Sequence, residues 1–323
     1  MLEPVLSPST TSILSGLATA SFAWALQGCA FDPHSTGEEW HEEVTDTAAP
    51  ITNTDPSADP AYVLRLYDNC TAFAISQHYV LTAAHCLGFT GVTLVRLAAG
   101  KDAETVVYEK AATVAMHPEF TGAPNQTGFD IGIMRLAGLG LGESFPRVRL
   151  HSASDTPWTS VGEQFSVAGY GAGSNVNGAQ NCADAGAPGQ KRWGSFAFTG
   201  QGTINGEGTW TEVIGSDPSR TVCGGDSGGP FLLLRYPENF AFAVTARSSL
   251  QAGKNVFGTM IEPHMGWIRE ESGKLGLPLV CKQVRDHRVR PTLGYYDCAE
   301  QPPSRLGGVV VPPGSIGGVA SRP

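Results

Sequence analysis

Short apolar runs alternate with glycine, proline and asparagine turns from residue 51 onward. This spacing is typical of short β-strands joined by turns, and it favours an all-β fold. The number of runs is enough for two six-stranded antiparallel β-barrels. The predicted strands lie at 62–67, 72–76, 79–82, 92–98, 106–116, 131–136, 165–169, 192–199, 209–214, 230–234, 240–245 and 256–261.

The pattern changes after the last predicted strand. Residues 262–272 form the one convincing helical segment, which contains Trp267 and Ile268. Residues 273–323 then form a C-terminal extension that holds Cys281 and Cys298 and ends in a partly disordered Gly/Pro-rich tail. This extension is either a small disulfide-closed appendage that packs on the barrels or a segment that binds a partner.

The N-terminal region predicts export. Ile13–Leu26 is apolar but too short to span a bilayer, and it suits the hydrophobic part of a signal peptide. The following Gln27-Gly28-Cys29 resembles the end of a bacterial lipobox, although no Lys or Arg precedes the apolar segment and Gln27 is unusual there. We expect a signal peptide over 1–29 with lipidation at Cys29, the alternative being ordinary cleavage that removes Cys29. The acidic residues 30–50 then form a flexible linker or pro-segment.

Composition narrows the possible functions. Charged residues are 16% of the chain, and 40 glycines and 22 prolines suit a loop-rich β protein. The net charge is −9 and no basic run occurs, so no nucleic-acid partner is indicated. Of seven cysteines, six remain besides Cys29, an even number that suits disulfides in an oxidising compartment. No C-x-x-C pair occurs, which argues against a structural zinc site.

Three short motifs carry the chemistry. They are Thr82-Ala83-Ala84-His85-Cys86, then Asp130-Ile131-Gly132, and finally Gly225-Asp226-Ser227-Gly228-Gly229-Pro230. A histidine base oriented by an aspartate makes a serine hydroxyl nucleophilic at neutral pH. In these motifs, and in the chain order His, Asp, Ser, the sequence resembles the chymotrypsin/trypsin-like serine protease family.

The resemblance implies a role for each residue. Ser227 is the expected nucleophile, His85 the general base, and Asp130 the group that orients the imidazole. The N–H groups of Gly225 and Ser227 are expected to form the oxyanion hole, and no metal or organic cofactor is implied. His117-Pro118 and Gly169-Tyr170-Gly171 also lie where the family keeps His-Pro and Gly-Trp-Gly.

The primary pocket departs from the trypsin pattern. The residue six before the nucleophile lies at the base of that pocket in the family, and here it is Thr221. An Arg or Lys side chain would be desolvated there without a carboxylate partner. We therefore expect a preference for uncharged side chains, with pocket walls from about Thr245–Ser249 and Asn255–Gly258.

The cysteine pattern departs as well. The resemblance implies a Cys70–Cys86 disulfide. Cys223 normally pairs with a cysteine shortly after the serine, but positions 224–280 contain none, so Cys182 or Cys281 must replace it. We favour Cys182–Cys223 and Cys281–Cys298, with a Cys223–Cys281 pair as the alternative.

Activation is the third departure. In the family a freed N-terminal Ile or Val forms an ion pair with the aspartate before the nucleophile, here Asp226. Ile51 is the best candidate for that terminus, yet Pro50 precedes it and no Lys or Arg occurs in residues 1–50. Either another kind of protease cleaves there or the active form is ordered differently.

These observations predict an exported serine endopeptidase, either secreted or anchored to a bacterial envelope, that acts on protein or peptide substrates. An activating protease is a possible partner, and membrane contact is expected only through Cys29. The alternative is a catalytically silent binding module or a permanently unprocessed zymogen. Esters in place of peptides are a third possibility, because a fold does not fix the substrate.

Overall fold

The computed structural model describes residues 49–50, 60–67, 70–123, 127–152, 161–171, 190–202, 206, 209–217, 220–233, 240–248, 255–285 and 294–301. Six antiparallel strands close into the first barrel, in the order β2-β3-β4-β7-β6-β5. Strands β3 and β4 are buried throughout, as expected for strands that also face a second barrel. The strands are β1 (Ala49–Pro50), β2 (Val63–Leu66), β3 (Cys70–Ala74), β4 (Tyr79–Thr82), β5 (Gly91–Ala99), β6 (Thr105–Met116) and β7 (Gly132–Leu136).

The second barrel follows the short strand β8 (Arg149–Ser152). The later strands of this half are β9 (Gln164–Gly169), β10 (Arg192–Gln201), β11 (Glu212–Ser216), β12 (Arg220–Thr221), β13 (Pro230–Leu233), β14 (Phe240–Ser248) and β15 (Asn255–Met260). The ring of this barrel runs β13-β9-β10-β11-β15-β14 and is closed by pairing of β13 with β14. Strand β12 pairs in parallel with β1, so residues 49–50 run beside Arg220–Thr221.

Aromatic packing fills the second barrel. The Phe165 ring stacks on Phe231 with centroids 4.9 Å apart and meets Phe242 edge-on at 5.5 Å. A larger apolar cluster fills the first barrel and continues between the barrels through Ala168, Tyr170 and Val244. The barrels therefore share buried apolar surface.

The C-terminal extension is built into the fold. Helix α1 (Met265–Lys274) follows a 3₁₀ turn at Glu262–His264, and the hairpin of β16 (Leu279–Arg285) and β17 (Gly294–Glu300) comes next. Strand β17 pairs with β8, and β8 pairs with β14. The Glu300 carboxylate accepts hydrogen bonds from the Ser76 hydroxyl at 2.6 Å and the His78 amide at 2.7 Å. The hairpin thus extends the second sheet and is fixed to the first barrel.

The predicted fold class is confirmed: two six-stranded antiparallel barrels, a short C-terminal helix and a disulfide-bearing extension. The helix begins later than predicted, because the segment from Glu262 to His264 adopts a 3₁₀ turn. In the part of the chain described, no helix combines the length and apolar character needed to cross a membrane. The predicted signal peptide, the linker except for its last two residues, and the tail beyond residue 301 lie outside the described residues.

Candidate active site

His85 and Asp130 meet at the mouth of the first barrel. His85 lies in a 3₁₀ turn at Ala84–Cys86, directly after β4, and Asp130 follows another 3₁₀ turn at Thr127–Phe129. The Nδ1 atom of His85 lies 2.6 Å from Oδ2 of Asp130, and the backbone amide of His85 donates to Oδ1 at 2.9 Å. Because a carboxylate only accepts, the proton of the neutral imidazole is on Nδ1, and Nε2 keeps its lone pair and can accept a proton.

The environment of this pair sets the basicity of the imidazole. The His85 side chain is 36% exposed, whereas that of Asp130 is 6% exposed. Burial disfavours the imidazolium, but the hydrogen bond and negative charge of Asp130 outweigh it, so the pKa of His85 lies above its ordinary value of 6.5. The imidazole is therefore a stronger base than a free histidine.

Ser227 lies in a tight turn between β12 and β13. Gly225 and Gly228 have φ values of +102° and +84°, which a residue with a side chain rarely adopts. A Cβ atom on Gly228 would collide with the Thr71 carbonyl and the Thr82 hydroxyl of the first barrel. Glycine is required here because the turn is pressed directly against β3 and β4.

Thr71 ties this turn to the first barrel. Its amide donates to the Ser227 carbonyl at 2.8 Å, and its hydroxyl donates to the Gly225 carbonyl at 2.6 Å. The same hydroxyl oxygen accepts from the Tyr170 amide at 2.9 Å. One buried threonine, which no sequence motif singles out, therefore joins β3, the nucleophile turn and the end of β9.

The backbone of Ser227 lies beside the turn that carries His85. The Cys86 sulfur, next to His85, lies 3.7 Å from the Ser227 carbonyl oxygen. Within the described residues, however, Ser227 Oγ and His85 Nε2 make no hydrogen bond to each other or to any other group. Catalytic hydrogen bonds are often long before substrate binds, so this spacing is compatible with the predicted roles.

The N–H groups of the turn divide into two sets. Those of Cys223, Asp226, Gly228 and Gly229 donate within the turn or to Thr245. In the described structure, the N–H groups of Gly224, Gly225 and Ser227 donate to no protein acceptor. Two of these three amides, those of Gly225 and Ser227, are at the positions predicted for the oxyanion hole, where they remain available to a substrate oxygen.

Asp226 points away from the nucleophile into the protein. It is 3% exposed, and its carboxylate accepts from the Gly171 amide at 2.7 Å and the Cys223 amide at 2.9 Å. Burial raises the pKa of Asp226 to about 6, against the lowering by these two amides and by the Arg192 charge. The predicted partner, Ile51, lies outside the described residues, so the Asp226–Ile51 ion pair stays a prediction.

The predicted pocket base, Thr221, is buried at the end of β12. Nearby, the Ser248 hydroxyl donates to the Val222 carbonyl at 2.8 Å, which fixes one predicted wall to the base. The Arg247 guanidinium lies 3.9 Å from the centre of the Phe257 ring, so a cation–π contact joins the two predicted walls. Sequence reasoning did not single out this contact.

Two predicted disulfides, Cys70–Cys86 and Cys281–Cys298, are present. Cys223 is also disulfide-bonded, and because the other described cysteines pair with one another, its partner lies outside the described residues. That excludes the alternative Cys223–Cys281 pair, whereas Cys182–Cys223 stays a prediction. Cys70, His85 and Cys86 cluster closely enough for a metal, but the two sulfurs are bonded to each other and are not thiolates.

Four aromatic rings pack together around the turn that precedes Asp130. His117 lies 5.4 Å from Phe129, 4.6 Å from His264 and 5.0 Å from Trp267, measured between ring centroids. Nε2 of His264 donates to the Gly128 carbonyl at 2.8 Å, and this carbonyl belongs to the turn before Asp130. We call these four side chains the histidine cluster. From the sequence, only the His117-Pro118 motif could be recognised, because His117 and His264 belong to segments that are distant along the chain.

Two β-barrels with the Ser227 turn at their junction define the class of chymotrypsin-like serine proteases. The chain belongs to the trypsin family, whose model, described as Trypsin, matches residues 51–261. It is similar to chymotrypsin-like elastase family member 1 of Bos taurus, with 26% identity over 213 residues. That match covers 62% of this chain and 78% of the relative.

Proposed function

We propose that this protein is a serine endopeptidase that cleaves peptide bonds through His85, Asp130 and Ser227. The observation that supports this most strongly is the nucleophile turn. The hydrogen-bonded His85–Asp130 pair lies beside the turn, and within the turn the N–H groups of Gly225 and Ser227 are among those that donate to no protein acceptor in the described residues.

The reaction follows from these positions. Ser227 Oγ attacks the scissile carbonyl carbon while His85 Nε2 takes the hydroxyl proton, and the carbonyl oxygen becomes an oxyanion. The N–H groups of Gly225 and Ser227 stabilise that oxyanion, with roughly 3–4 kcal/mol expected per donor. His85 returns its proton to the leaving amine, which gives an acyl-enzyme on Ser227. Water then attacks the ester with His85 again as base, releasing the acid and restoring the serine.

The proposed preference is for an uncharged side chain before the scissile bond. Thr221 places a hydroxyl and a methyl group, but no carboxylate, at the predicted pocket base. A cationic side chain would be desolvated there without an ionic partner. Peptides that differ only at this residue test it, and efficient cleavage after Arg would contradict it.

Export is proposed from the N-terminal residues and the cysteines. The described disulfides Cys70–Cys86 and Cys281–Cys298 suit an oxidising compartment. We propose that the mature chain begins at a lipidated Cys29 on a bacterial envelope. Mass spectrometry of the mature N-terminus tests this, and an unmodified terminus beyond Cys29 would rule lipidation out.

The first experiment is a fluorophosphonate probe on the purified exported protein, beside Ser227→Ala. Labelling confined to the Ser227 peptide would support an activated nucleophile with a formed oxyanion hole. A folded, disulfide-bonded protein that fails to label would instead favour the unprocessed zymogen or the binding module. Hydrolysis of matched peptide and ester substrates then separates the two substrate classes.

A further inference from the structure

Asp226 poses an electrostatic problem that the two amide hydrogen bonds do not fully solve. Its side chain is almost completely buried, next to the nucleophile, and an ionised carboxylate is costly in such a place without a positive partner. If the carboxyl were neutral, it would accept more weakly from the Gly171 and Cys223 amides. Those two bonds fix the turn that presents Ser227, so the charge of Asp226 matters for the site.

A positive group lies on the other side of Gly171. Arg192 is the first residue of β10 and is in register with Gly169 of β9. Its Nη1 donates to the Gly171 carbonyl at 3.1 Å, while the Gly171 amide donates to Oδ1 of Asp226 at 2.7 Å. The guanidinium and the carboxylate therefore bind the same glycine residue, one at its carbonyl and one at its amide.

The surrounding charges favour this pairing. Among the described side chains, Arg192 is the one whose charge acts on Asp226, and the segments Gly169–Gly171 and Cys223–Gly225 contain no charged residue. Asp226 and Asp102, in the turn between β5 and β6, are the acids whose charges act on Arg192. Partial burial of the guanidinium disfavours its charge, but both acids favour it.

We propose that Arg192 is a positioning residue that supplies the positive charge for Asp226 from within the chain, so that the turn carrying Ser227 is ordered without a freed N-terminus at Ile51. This inference rests on the proposed function. It agrees with the position of β1, since Ala49–Pro50 already pairs with Arg220–Thr221 in the uncut chain. It also accounts for the missing Lys or Arg before Ile51.

The test compares Arg192→Gln, Arg192→Lys and a control, Arg147→Gln, which removes an exposed guanidinium bonded only to the Glu143 carbonyl. The chains keep residues 49–51 intact, verified by mass spectrometry, and labelling of Ser227 by a fluorophosphonate is timed from pH 6 to 9. We expect R192Q to label at least tenfold more slowly at pH 6.5, with partial recovery at pH 9 as Asp226 ionises. R192K should stay near the wild type, and R147Q should match it.

The midpoint of thermal unfolding, measured as a function of pH, gives a readout that does not depend on catalysis. A raised carboxyl pKa makes stability fall as pH rises toward it, so in R192Q this fall should extend to higher pH than in the wild type. Asp226→Asn in the R192Q background should remove the difference.

Wild-type labelling rates in R192Q at every pH, or labelling only in chains that begin at Ile51, would overturn the inference. If the wild type fails to label both with residues 49–51 intact and as a chain that begins at Ile51, the proposed function is overturned instead. The melting curves would then still report whether Arg192 and Asp226 interact.

Discussion

His85 and Asp130 are joined by two hydrogen bonds, one from the imidazole Nδ1 at 2.6 Å and one from the backbone amide of His85 at 2.9 Å. One carboxylate therefore fixes both the ring and the turn that carries it. The ring cannot rotate or change tautomer without losing a charge-assisted bond.

Asp130→Asn should lower kcat by about four orders of magnitude, because an amide no longer enforces the Nδ1–H tautomer. The measurement is steady-state hydrolysis of a peptide amide, with unfolding midpoints to confirm that the variant is folded. Asp297→Asn, an exposed change on β17, serves as the control and should leave kcat unchanged. A tenfold loss or less in Asp130→Asn would show that Asp130 does not orient the base.

The pH dependence of activity should report the raised pKa of His85. A base must be unprotonated to act, so kcat/KM should fall as pH decreases through a value above 6.5. Removing the Asp130 charge with Asp130→Asn should move this limb to lower pH. The check is a pH profile from 5 to 9 in both proteins, and an unshifted limb would assign it to another group.

Thr221→Asp should introduce cleavage after Arg and Lys, because it places a carboxylate at the predicted pocket base. We expect at least a tenfold rise in kcat/KM for an Arg peptide relative to the wild type, with a loss on uncharged peptides. Thr221→Ser, which keeps the hydroxyl, is the matched control. Equal rates in Thr221→Asp and Thr221→Ser would place the pocket base elsewhere.

The C-terminal hairpin should contribute directly to stability. Glu300 accepts from Ser76 Oγ, from the His78 amide and from His78 Nδ1, the last at 2.8 Å. Glu300→Ala should lower the free energy of unfolding by about 2 kcal/mol, since it leaves buried donors unpaired. Urea denaturation measures this, with Asp297→Ala on the same strand as control. A change within about 0.5 kcal/mol would mean that the hairpin is not held at this point.

The histidine cluster should make the protein less stable in acid. Burial lowers the pKa of His117 and His264 to about 4. At these two histidines the unfolded chain therefore binds more protons between about pH 4 and 6.5, so their contribution to stability falls as pH decreases through that range, opposite in sign to the contribution of Asp226. The slope is expected to reach about 1.4 kcal/mol per pH unit for each histidine.

Urea midpoints at pH 5 and pH 7 check this slope. His264→Gln keeps a donor for the Gly128 carbonyl but does not titrate, so the difference between the two midpoints should shrink. Asp297→Asn should keep the wild-type difference. An unchanged difference in His264→Gln would show that His264 is not the group that titrates.

The sequence predicted the barrel strands well because each has a local signature of apolar runs and turns. Strand β8 and the hairpin of β16 and β17 were not predicted, since their pairing depends on contacts between distant segments, such as Tyr296 beside Leu150. The same distinction explains which residues of the site could be predicted from the sequence and which could not. His85 and Asp130 lie in recognisable motifs, whereas Thr71 and Arg192 are placed by the packing of one barrel on another and of one strand on its neighbour.

Thr71 and Gly228 have a further consequence for the order in which the site is assembled. The nucleophile turn belongs to one barrel, but it is shaped by hydrogen bonds and close contact from the other. A chain with only one barrel formed would hold a histidine and an aspartate without a presented serine. Under the proposed function, cleavage requires both halves to have docked, so half-folded molecules are not expected to digest one another during biogenesis.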